Sequence, residues 1–488
     1  MPRKDTLLIL LFVLQAASTL AGRKVPESTV LTTDVAIVGG GASGTYAAIR
    51  LREDFNTSIV LIEPRPYLGG SVSTYLVPET NTTLEFGVQS YLRYGPALDF
   101  FARFGIALRP FASKRLTTVN IDVETGEQLK DYLSPNINAT NEAFQRWLAI
   151  VSKYKTFLEP GYWNFPLSPD IPSDFLVPFE DFAKRHELEA AVPRILAISG
   201  VGYGGVRNPI TLHLLQAFGA SLTLDMLENQ MFVPTGSNSL IYQRAHDFLG
   251  PDVLLSSTVK DVKRTSTAMT ILVKQRDTEY IIKARRILYS APPSLRNLSP
   301  FQPDEKEAAV FSTWAEDSEF VGIAKISCIP ENYSINFIPS VAVPTNYLAL
   351  KVRKDWPYSI RLDSTGPPGL GLFRIIVGAN YTLSLDDVKN LVLEGTKRLE
   401  DAGTVTEECG VEFKSSSDHS RPQWKQTAEQ LQSGLVQKLY GLQGYRGIWY
   451  VGYVWGAPYS STIWAFTDTV LLKLLDDIKT DKSSSQKA

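Results

Sequence analysis

The stretch that decides the fold reads Asp34-Val35-Ala36-Ile37-Val38-Gly39-Gly40-Gly41-Ala42-Ser43-Gly44. Its first five residues form an apolar, β-branched run typical of a buried parallel strand, and a helical pattern follows to about Phe55. In this G-x-G-x-x-G spacing, Gly39 permits a tight turn, Gly41 lets a pyrophosphate approach the backbone, and Gly44 allows close packing of helix on strand. The helix N-terminus, which includes Ser43, offers free N–H groups to the phosphates. The stretch therefore predicts a dinucleotide site.

An acidic residue follows at the expected distance. A second strand is predicted from Ser58 to Ile62, and it ends in Glu63, 19 residues after Gly44. A carboxylate at this point can accept hydrogen bonds from the ribose hydroxyls of an adenosine half. The alternative is a glycine-rich turn in an unrelated α/β protein. The order of strand, glycines, helix, strand and acid favours the dinucleotide.

The next residues resemble those of a known family. Glu63-Pro64-Arg65-Pro66-Tyr67-Leu68-Gly69-Gly70 is similar to the glutamate, arginine and paired-glycine segment of FAD-dependent flavoproteins of the amine oxidase superfamily. The resemblance implies FAD as the cofactor, with Glu63 on the adenosine ribose and Arg65 near the ribose and phosphates. Gly69 and Gly70 would let the chain pass the ribityl group and the flavin. Many members have Arg or His after the glycine pair, whereas this chain has Ser71, so a histidyl flavin link is not expected there.

Later segments extend the resemblance over about residues 33–478. They imply that Gly87 runs near the flavin and that Gly452 ends the last strand of the FAD lobe. A further strand is predicted from Val253 to Val262, and the backbone of its Val259 would meet the adenine. Apolar residues at helical spacing predict a terminal helix from Thr462 to about Leu475, which Ser461 can cap. The resemblance implies that the N-terminus of this helix points at the flavin. The usual acid after the last glycine is replaced by Tyr453, so the usual carboxylate contact to the cofactor is not expected.

The whole pattern resembles fungal FAD-dependent oxidoreductases related to β-cyclopiazonate dehydrogenase. This narrower resemblance depends on Asp174 to Phe182 and on Gly200 to Gly204. It implies an α/β fold with a Rossmann-type FAD-binding lobe, discontinuous in sequence, and a mixed α+β substrate-binding lobe. The segments are assigned as signal peptide 1–21; FAD-binding domain 33–91, 231–300 and 425–478; substrate or cap domain 92–230 and 301–424; and polar tail 479–488.

Lys325 is the candidate catalytic residue. The run from Val321 to Cys328 resembles the strand that carries a flavin-facing lysine in many amine oxidases, where the lysine holds a water and assists reoxidation by oxygen. The alternative is a solvent-facing position on a half-exposed strand. Trp455 and Tyr459 are candidate substrate-binding rings, with core packing as the other interpretation. The four histidines have no metal-ligand spacing, so no metal site is predicted.

Charge and the N-terminus limit the partners and the location. With 49 Lys and Arg against 51 Asp and Glu, the chain has no strong field to attract nucleic acid or an anionic membrane. Arg3 and Lys4 precede an apolar run from Leu7 to Leu14, which is typical of a secretory signal that ends near Ala21. This run is far shorter than the roughly 20 residues that span a bilayer, so no membrane anchor is expected after cleavage.

These features together predict a secreted FAD-dependent oxidoreductase. It would take hydride from a small, largely apolar organic substrate, such as a secondary-metabolite intermediate, and pass electrons to molecular oxygen or another acceptor. The alternatives are a redox-neutral flavin-dependent isomerase, thioether cleavage like that of prenylcysteine oxidase, and a cofactor-storing protein.

Cys328 and Cys409 are the only cysteines, and one disulfide or two buried thiols are both open. The glycosylation sequons begin at Asn56, Asn81, Asn138, Asn297, Asn332 and Asn380.

The secretory prediction has a direct test. Protein made in a eukaryotic host should begin near Gly22 and should lose mass on enzymatic deglycosylation, because signal cleavage and glycan transfer both occur on that route. Intact mass before and after deglycosylation measures both events. A chain that still begins at Met1 and keeps its mass contradicts the prediction.

Overall fold

The computed structural model describes residues 29–199, 210–265, 268–350 and 358–485. The expected signal peptide and the Gly200 to Gly204 motif lie outside the described residues. In the part of the chain that is described, two large sheets account for most of the strands. The strands are β1 Thr29–Val38, β2 Ile59–Ile62, β3 Thr74–Val77, β4 Thr82–Glu85, β5 Leu108–Pro110, β6 Thr117–Asp122, β7 Phe232–Pro234, β8 Val253–Leu254, β9 Ser257–Arg264, β10 Met269–Gln275, β11 Thr278–Tyr289, β12 Ala315–Ile326, β13 Tyr333–Ile338, β14 Tyr358–Asp363, β15 Leu372–Ala379, β16 Val411–Asp418, β17 Arg421–Gln423 and β18 Ile448–Tyr450.

The helices surround these sheets and fill most of the chain between residues 137 and 249. The described α-helices are α1 Ala42–Ile49, α2 Ala97–Arg103, α3 Ile137–Val151, α4 Lys155–Leu158, α5 Ser173–Leu176, α6 Phe179–Arg185, α7 Val192–Ser199, α8 Thr211–Ala217, α9 Ala220–Leu227, α10 Leu240–Leu249, α11 Leu295–Leu298, α12 Glu305–Phe311, α13 Leu385–Asp401, α14 Ala428–Gln432, α15 Leu435–Tyr440 and α16 Ser460–Ser485. Among the described helices, none is long and apolar enough to cross a membrane.

The first sheet is built around parallel strands. Its order is β8-β2-β1-β11-β10-β9, with β18 paired to β11, and β1 lies parallel to both β2 and β11. The β1 side chains Val35, Ala36 and Ile37 are completely buried, as the apolar run predicts. The β8–β2 and β11–β18 pairs are parallel too, so the carboxyl ends of five strands meet at one edge. The predicted α/β fold with a Rossmann-type lobe is confirmed.

The second sheet is mostly antiparallel and belongs to the other lobe. Its order is β16-β12-β15-β14-β13-β6, with β17 paired to β12. Helix α13 packs on one face, where a Cβ on Gly395 would lie 3.4 Å from Ile360 and 3.5 Å from Phe337. Ser384 caps this helix reciprocally with Asp387.

Two element boundaries differ from the sequence prediction. The strand expected from Val253 to Val262 is divided into β8 and β9, because the chain turns at Ser256, which has a φ of +51°. There the N–H of Ser256 donates to the carbonyl of Arg65, and the next N–H donates to the carbonyl of Glu63. The terminal helix begins at Ser460 and continues to Ser485, well beyond the apolar pattern.

Cys328 and Cys409 form a disulfide, which was one of the two open alternatives. It joins the residues after β12 to those before β16, across a sequence separation of 81 residues. A cross-link of this span restricts the unfolded chain and so stabilises the folded sheet.

Removing the disulfide should measurably weaken the second lobe. The double variant Cys328→Ser/Cys409→Ser should lose about 2–4 kcal/mol of unfolding free energy, because the unfolded chain gains entropy. Urea unfolding, followed by far-ultraviolet circular dichroism, measures the loss. Reduced wild-type protein is the matched control and should approach the variant. Equal midpoints for the oxidised wild type and the variant contradict the prediction.

Candidate cofactor and substrate site

The candidate site lies at the carboxyl edge of the parallel strands. Gly39 follows β1, Glu63 follows β2, Ser290 follows β11, and Gly452 lies two residues beyond β18. In open α/β sheets, ligands bind in the crevice outside these strand ends. Four residues from segments that are far apart in sequence therefore share one edge.

The glycine turn at this edge is tightly constrained. Gly39 has a φ of +103°, and its N–H donates to the carbonyl of Ile62 at 2.9 Å. A Cβ on Gly44 would lie 1.9 Å from the carbonyl oxygen of Gly39, so α1 sits as close to the turn as glycine permits. A Cβ on Gly41 would meet only the Cα of Gly70, at 3.6 Å. The outer side of Gly41 is thus open to a ligand.

Helix α1 begins at this turn without a side-chain cap. Its N-cap residue is Gly41, which has no side chain to accept from the first-turn N–H groups, and Ser43 is buried within that first turn. Uncapped N–H groups and the positive end of the helix dipole favour an anion such as pyrophosphate.

Glu63 organises the turn. It is 6% exposed; its Oε2 accepts the N–H of Gly40 at 2.7 Å, and its Oε1 accepts the N–H of Arg65 at 2.8 Å. Burial raises the pKa of Glu63, and the two N–H donors and the charge of Arg65 oppose that rise. A carboxylate has about four acceptor positions, so it keeps capacity for ribose hydroxyls after these two bonds.

Arg65 braces the paired glycines. Its Nη1 donates to the carbonyl of Gly70 at 2.6 Å, and its Nη2 donates to the carbonyl of Asp418 at 3.0 Å. Gly69 also donates its N–H to the carbonyl of Gly40 at 2.8 Å. The glycine turn, Glu63, Arg65 and the paired glycines therefore form one hydrogen-bonded unit. The terminal nitrogens of Arg65 contact backbone carbonyls, which differs from the phosphate role that the resemblance implies.

Gly87 and Val259 flank this unit. A Cβ on Gly87 would lie 2.2 Å from the carbonyl oxygen of Ser71, so the chain around Gly87 runs directly beside the residues after the paired glycines. Val259 is buried in β9, two residues beyond Ser257, whose N–H donates to the carbonyl of Glu63. Both residues are therefore connected to this unit through their neighbours in the chain.

The terminal segment completes the edge, although one predicted role is wrong. Gly452 has a φ of +117°, and its Cβ position lies 3.6 Å from the carbonyl oxygen of Ser290. Ser461 lies inside the first turn of α16, and its Oγ accepts the N–H of Leu92 at 3.0 Å, so it does not cap the helix. Thr462 donates its hydroxyl to the carbonyl of Ala457 at 2.7 Å. These two buried side chains fasten the helix start to its neighbours.

The expectation that Lys325 faces the flavin is corrected. Its side chain is exposed, and the residue pairs with Leu372 on one side and Glu412 on the other. Phe320, on the same strand, pairs with Asp418, which is where Arg65 reaches β16. Five residues of strand, about 17 Å, therefore separate Lys325 from the cofactor edge. The solvent-facing alternative describes this lysine.

The two candidate substrate rings lie in different environments. Trp455 is 1% exposed and stacks on Tyr450 with ring centroids 4.9 Å apart, so core packing accounts for its contacts and its substrate role stays a prediction. Tyr459 is half-buried, and its hydroxyl donates to the carbonyl of Ala217 at 3.1 Å. Tyr459 therefore links the terminal segment to α8 in the second lobe.

Sequence reasoning missed the two-residue segment between β16 and β17, two strands that both pair with β12. His419 is buried beside the cofactor unit: its Nε2 lies 3.3 Å from the Oγ of Ser73, and its ring lies 3.1 Å from the Cβ position of Gly87. Burial lowers the pKa of His419 to about 3, helped by Arg421 and Arg65, so this histidine is neutral at physiological pH. This segment has no motif in the sequence, so only its position between two strands that pair with β12 could have indicated it.

Arg421 begins β17, directly after this segment, and its side chain lies beside the terminal segment. Its Nη2 lies 3.1 Å from the Oε2 of Glu319, and its guanidinium lies 5.3 Å from the ring centroid of Tyr453. Tyr453 directly follows Gly452, so the second lobe places a cation beside the end of β18. This arrangement can orient a polar group of a bound molecule next to the cofactor edge.

Comparison with known proteins gives the family. A model of the NAD(P)-binding Rossmann-like domain matches residues 37–104. FAD-dependent oxidoreductase pigF from Monascus ruber is 31% identical over 449 residues, which cover 91% of this chain and 92% of that protein. Beta-cyclopiazonate dehydrogenase from Aspergillus flavus is 29% identical, covering 92% and 94% of the two chains.

Solved structures agree on the fold. A fatty acid isomerase from P. acnes has a TM-score of 0.68 at 15% identity and covers 90% of this chain and 98% of its own. Putrescine oxidase bound to putrescine has a TM-score of 0.58 at 16% identity, with coverage of 92% and 100%. At these identities the likeness concerns the fold alone. The relatives and the glycine cradle together establish that the chain belongs to the fungal FAD-dependent oxidoreductases related to beta-cyclopiazonate dehydrogenase, and that its cofactor is FAD.

Proposed function

We propose that this enzyme removes hydride from a small, largely apolar organic substrate, and that oxygen or another acceptor then takes the electrons. The observation that carries the proposal is the joining of the FAD cradle to an aromatic region of the second lobe. Relatives named as a dehydrogenase and as FAD-dependent oxidoreductases favour oxidation over isomerisation. Bound FAD supplies the ring that accepts hydride.

The residues of the cradle would bind and orient the cofactor. The open face of Gly41 and the uncapped start of α1 suit the pyrophosphate, and Glu63 suits the adenosine ribose. Arg65 would keep the paired glycines in their left-handed conformations by holding the Gly70 carbonyl. These contacts would hold the dinucleotide and the chain beside it in place.

The aromatic region supports an apolar substrate. Trp424 lies edge to face against Trp314 at 4.9 Å and against Tyr162 at 5.4 Å. Trp424 follows β17 by one residue, so this aromatic cluster adjoins the segment of chain that contains Arg421. Rings of this kind form the walls of small-molecule sites, whereas a few polar groups orient the ligand.

Secretion is part of the proposal. The sequon residues Asn56, Asn81, Asn138 and Asn332 have exposed side chains, so an oligosaccharide could be attached to each without unfolding. The Cys328–Cys409 disulfide favours an oxidising compartment. Both features support the secretory route that the N-terminal sequence predicts.

The cradle predicts a specific loss of cofactor. Purified wild-type protein should be yellow and should release FAD on denaturation, whereas Gly41→Val should bind no FAD, because its side chain fills the open face of the turn. Flavin absorbance per protein measures this. The matched control compares the melting temperatures of wild type and Gly41→Val after the flavin is removed from both. These temperatures should be equal, since a Cβ at position 41 meets no described atom closer than 3.6 Å. Full flavin occupancy in Gly41→Val contradicts the proposed pyrophosphate position.

Oxidation and isomerisation can be separated by excluding oxygen. Flavin-loaded enzyme is mixed anaerobically with a panel of benzylic amines, alcohols and unsaturated acids, and its visible absorbance is recorded. An oxidised substrate should bleach the flavin, and air should restore the colour, because the electrons remain on the cofactor until an acceptor arrives. Product that forms over many turnovers without oxygen, with the flavin still oxidised at the end, would favour the isomerase and contradict the proposal.

A further inference from the structure

Helix α8 carries a buried amide that nothing in the fold uses. Gln216 is 4% exposed, and among the described residues neither its Oε1 nor its Nε2 has a hydrogen-bond partner. A buried amide without partners is destabilising, and nearly all buried polar groups in native proteins are paired. An amide retained in this condition indicates that a ligand supplies the missing partners.

The surroundings of Gln216 connect it to the candidate site. The neighbouring carbonyl, that of Ala217, accepts the hydroxyl of Tyr459 at 3.1 Å. One turn earlier on α8, the His213 side chain is also buried and lies near Gln426 and Lys425. Helix α8 is therefore packed between the terminal segment that contains Tyr459 and the chain that follows β17.

Strand β17 brings a second group that is rich in donors. The Nη2 of Arg421 lies 3.1 Å from the Oε2 of Glu319, the Arg421 side chain is 24% exposed, and a guanidinium carries four further N–H donors. Trp314 and Trp424 contact each other, and the Nε1 of each is buried without a hydrogen-bond partner among the described residues. The indole and guanidinium groups can only donate, so the region has an excess of donors.

We propose that Arg421 and Gln216 bind an oxygen acceptor of the substrate, either a carbonyl or an oxyanion such as a carboxylate or enolate. The substrate then has one oxygen-bearing end and an aromatic or apolar body. Glu319 holds the guanidinium in place, and the Tyr453 ring covers its face. This inference rests on the proposed function and gives the substrate class for the same site.

Simple aromatic probes test the inference. Benzoate, benzamide and benzyl alcohol share one ring and differ in the oxygen group. Each is titrated into flavin-loaded wild type, Arg421→Met, Gln216→Leu and the control Arg109→Met, which removes an exposed arginine. Flavin absorbance and tryptophan fluorescence report binding, and thermal unfolding reports stability.

Each probe has an expected result. Wild type and Arg109→Met should bind benzoate and benzamide more tightly than benzyl alcohol. Arg421→Met should weaken benzoate binding by about tenfold or more, because a hydrogen bond to a charged group is lost. Gln216→Leu should weaken benzamide binding by about tenfold while its melting temperature stays equal or rises, because an unpaired buried amide is removed. A structural glutamine would instead lower the melting temperature.

The contrary outcomes are distinct. Failure of wild type to bind benzoate and benzamide overturns the inference, as do affinities within twofold of wild type in both site variants. A fall in the melting temperature of Gln216→Leu with unchanged benzamide affinity also overturns it. Absence of flavin would contradict the proposed function instead. Tryptophan fluorescence would then still measure whether the Arg421 and Gln216 variants lose the probes.

Discussion

Two backbone N–H groups converge on one buried carboxylate, and the arrangement of the cofactor edge depends on that convergence. Glu63 takes the N–H of Gly40 from the first turn and the N–H of Arg65 from the chain after β2. Without this acceptor, both donors would be left unpaired, at a cost of about 1–3 kcal/mol each. The side chain of Arg65 in turn donates a hydrogen bond to the carbonyl of Gly70. A single side chain thus fixes the relative positions of both glycine segments.

The local parts of the site could be predicted because their chemistry is encoded in short stretches. Adjacent residues specify the turn at Gly39, the close helix contact at Gly44 and the strand end at Glu63. The structure places all three residues at the same edge. The sequence was insufficient where a position depends on strand register or on tertiary neighbours. Lys325 matches a motif, yet pairing of β12 with β16 carries it far from the edge. Trp455 is packed against Tyr450 by contacts that no sequence pattern encodes.

The second lobe reaches the cofactor edge through one short segment that runs along β12, Asp418 to Arg421. The backbone carbonyl of Asp418 accepts from Arg65, and His419 fills the space beside Gly87. Arg421 follows directly and faces Tyr453. None of these residues could be identified from the sequence, because a two-residue interruption between strands that pair with the same neighbour has no periodicity or spacing of its own. The fold itself does not decide the reaction, since solved structures named as an isomerase and as an oxidase share it with this chain at 15% and 16% identity.

The order of the cradle along the chain has a consequence for biosynthesis. Gly39 and Glu63 emerge early from the ribosome, whereas β11 comes past the middle of the chain, and β18 and α16 come last. The parallel pairing that brings the strand ends together therefore cannot be complete until translation is nearly finished. Until then the early glycine turn lacks the neighbours that close the edge around a dinucleotide. FAD loading is thus a step that follows synthesis of the chain, and the flavin pool that matters is the one available where the finished protein folds.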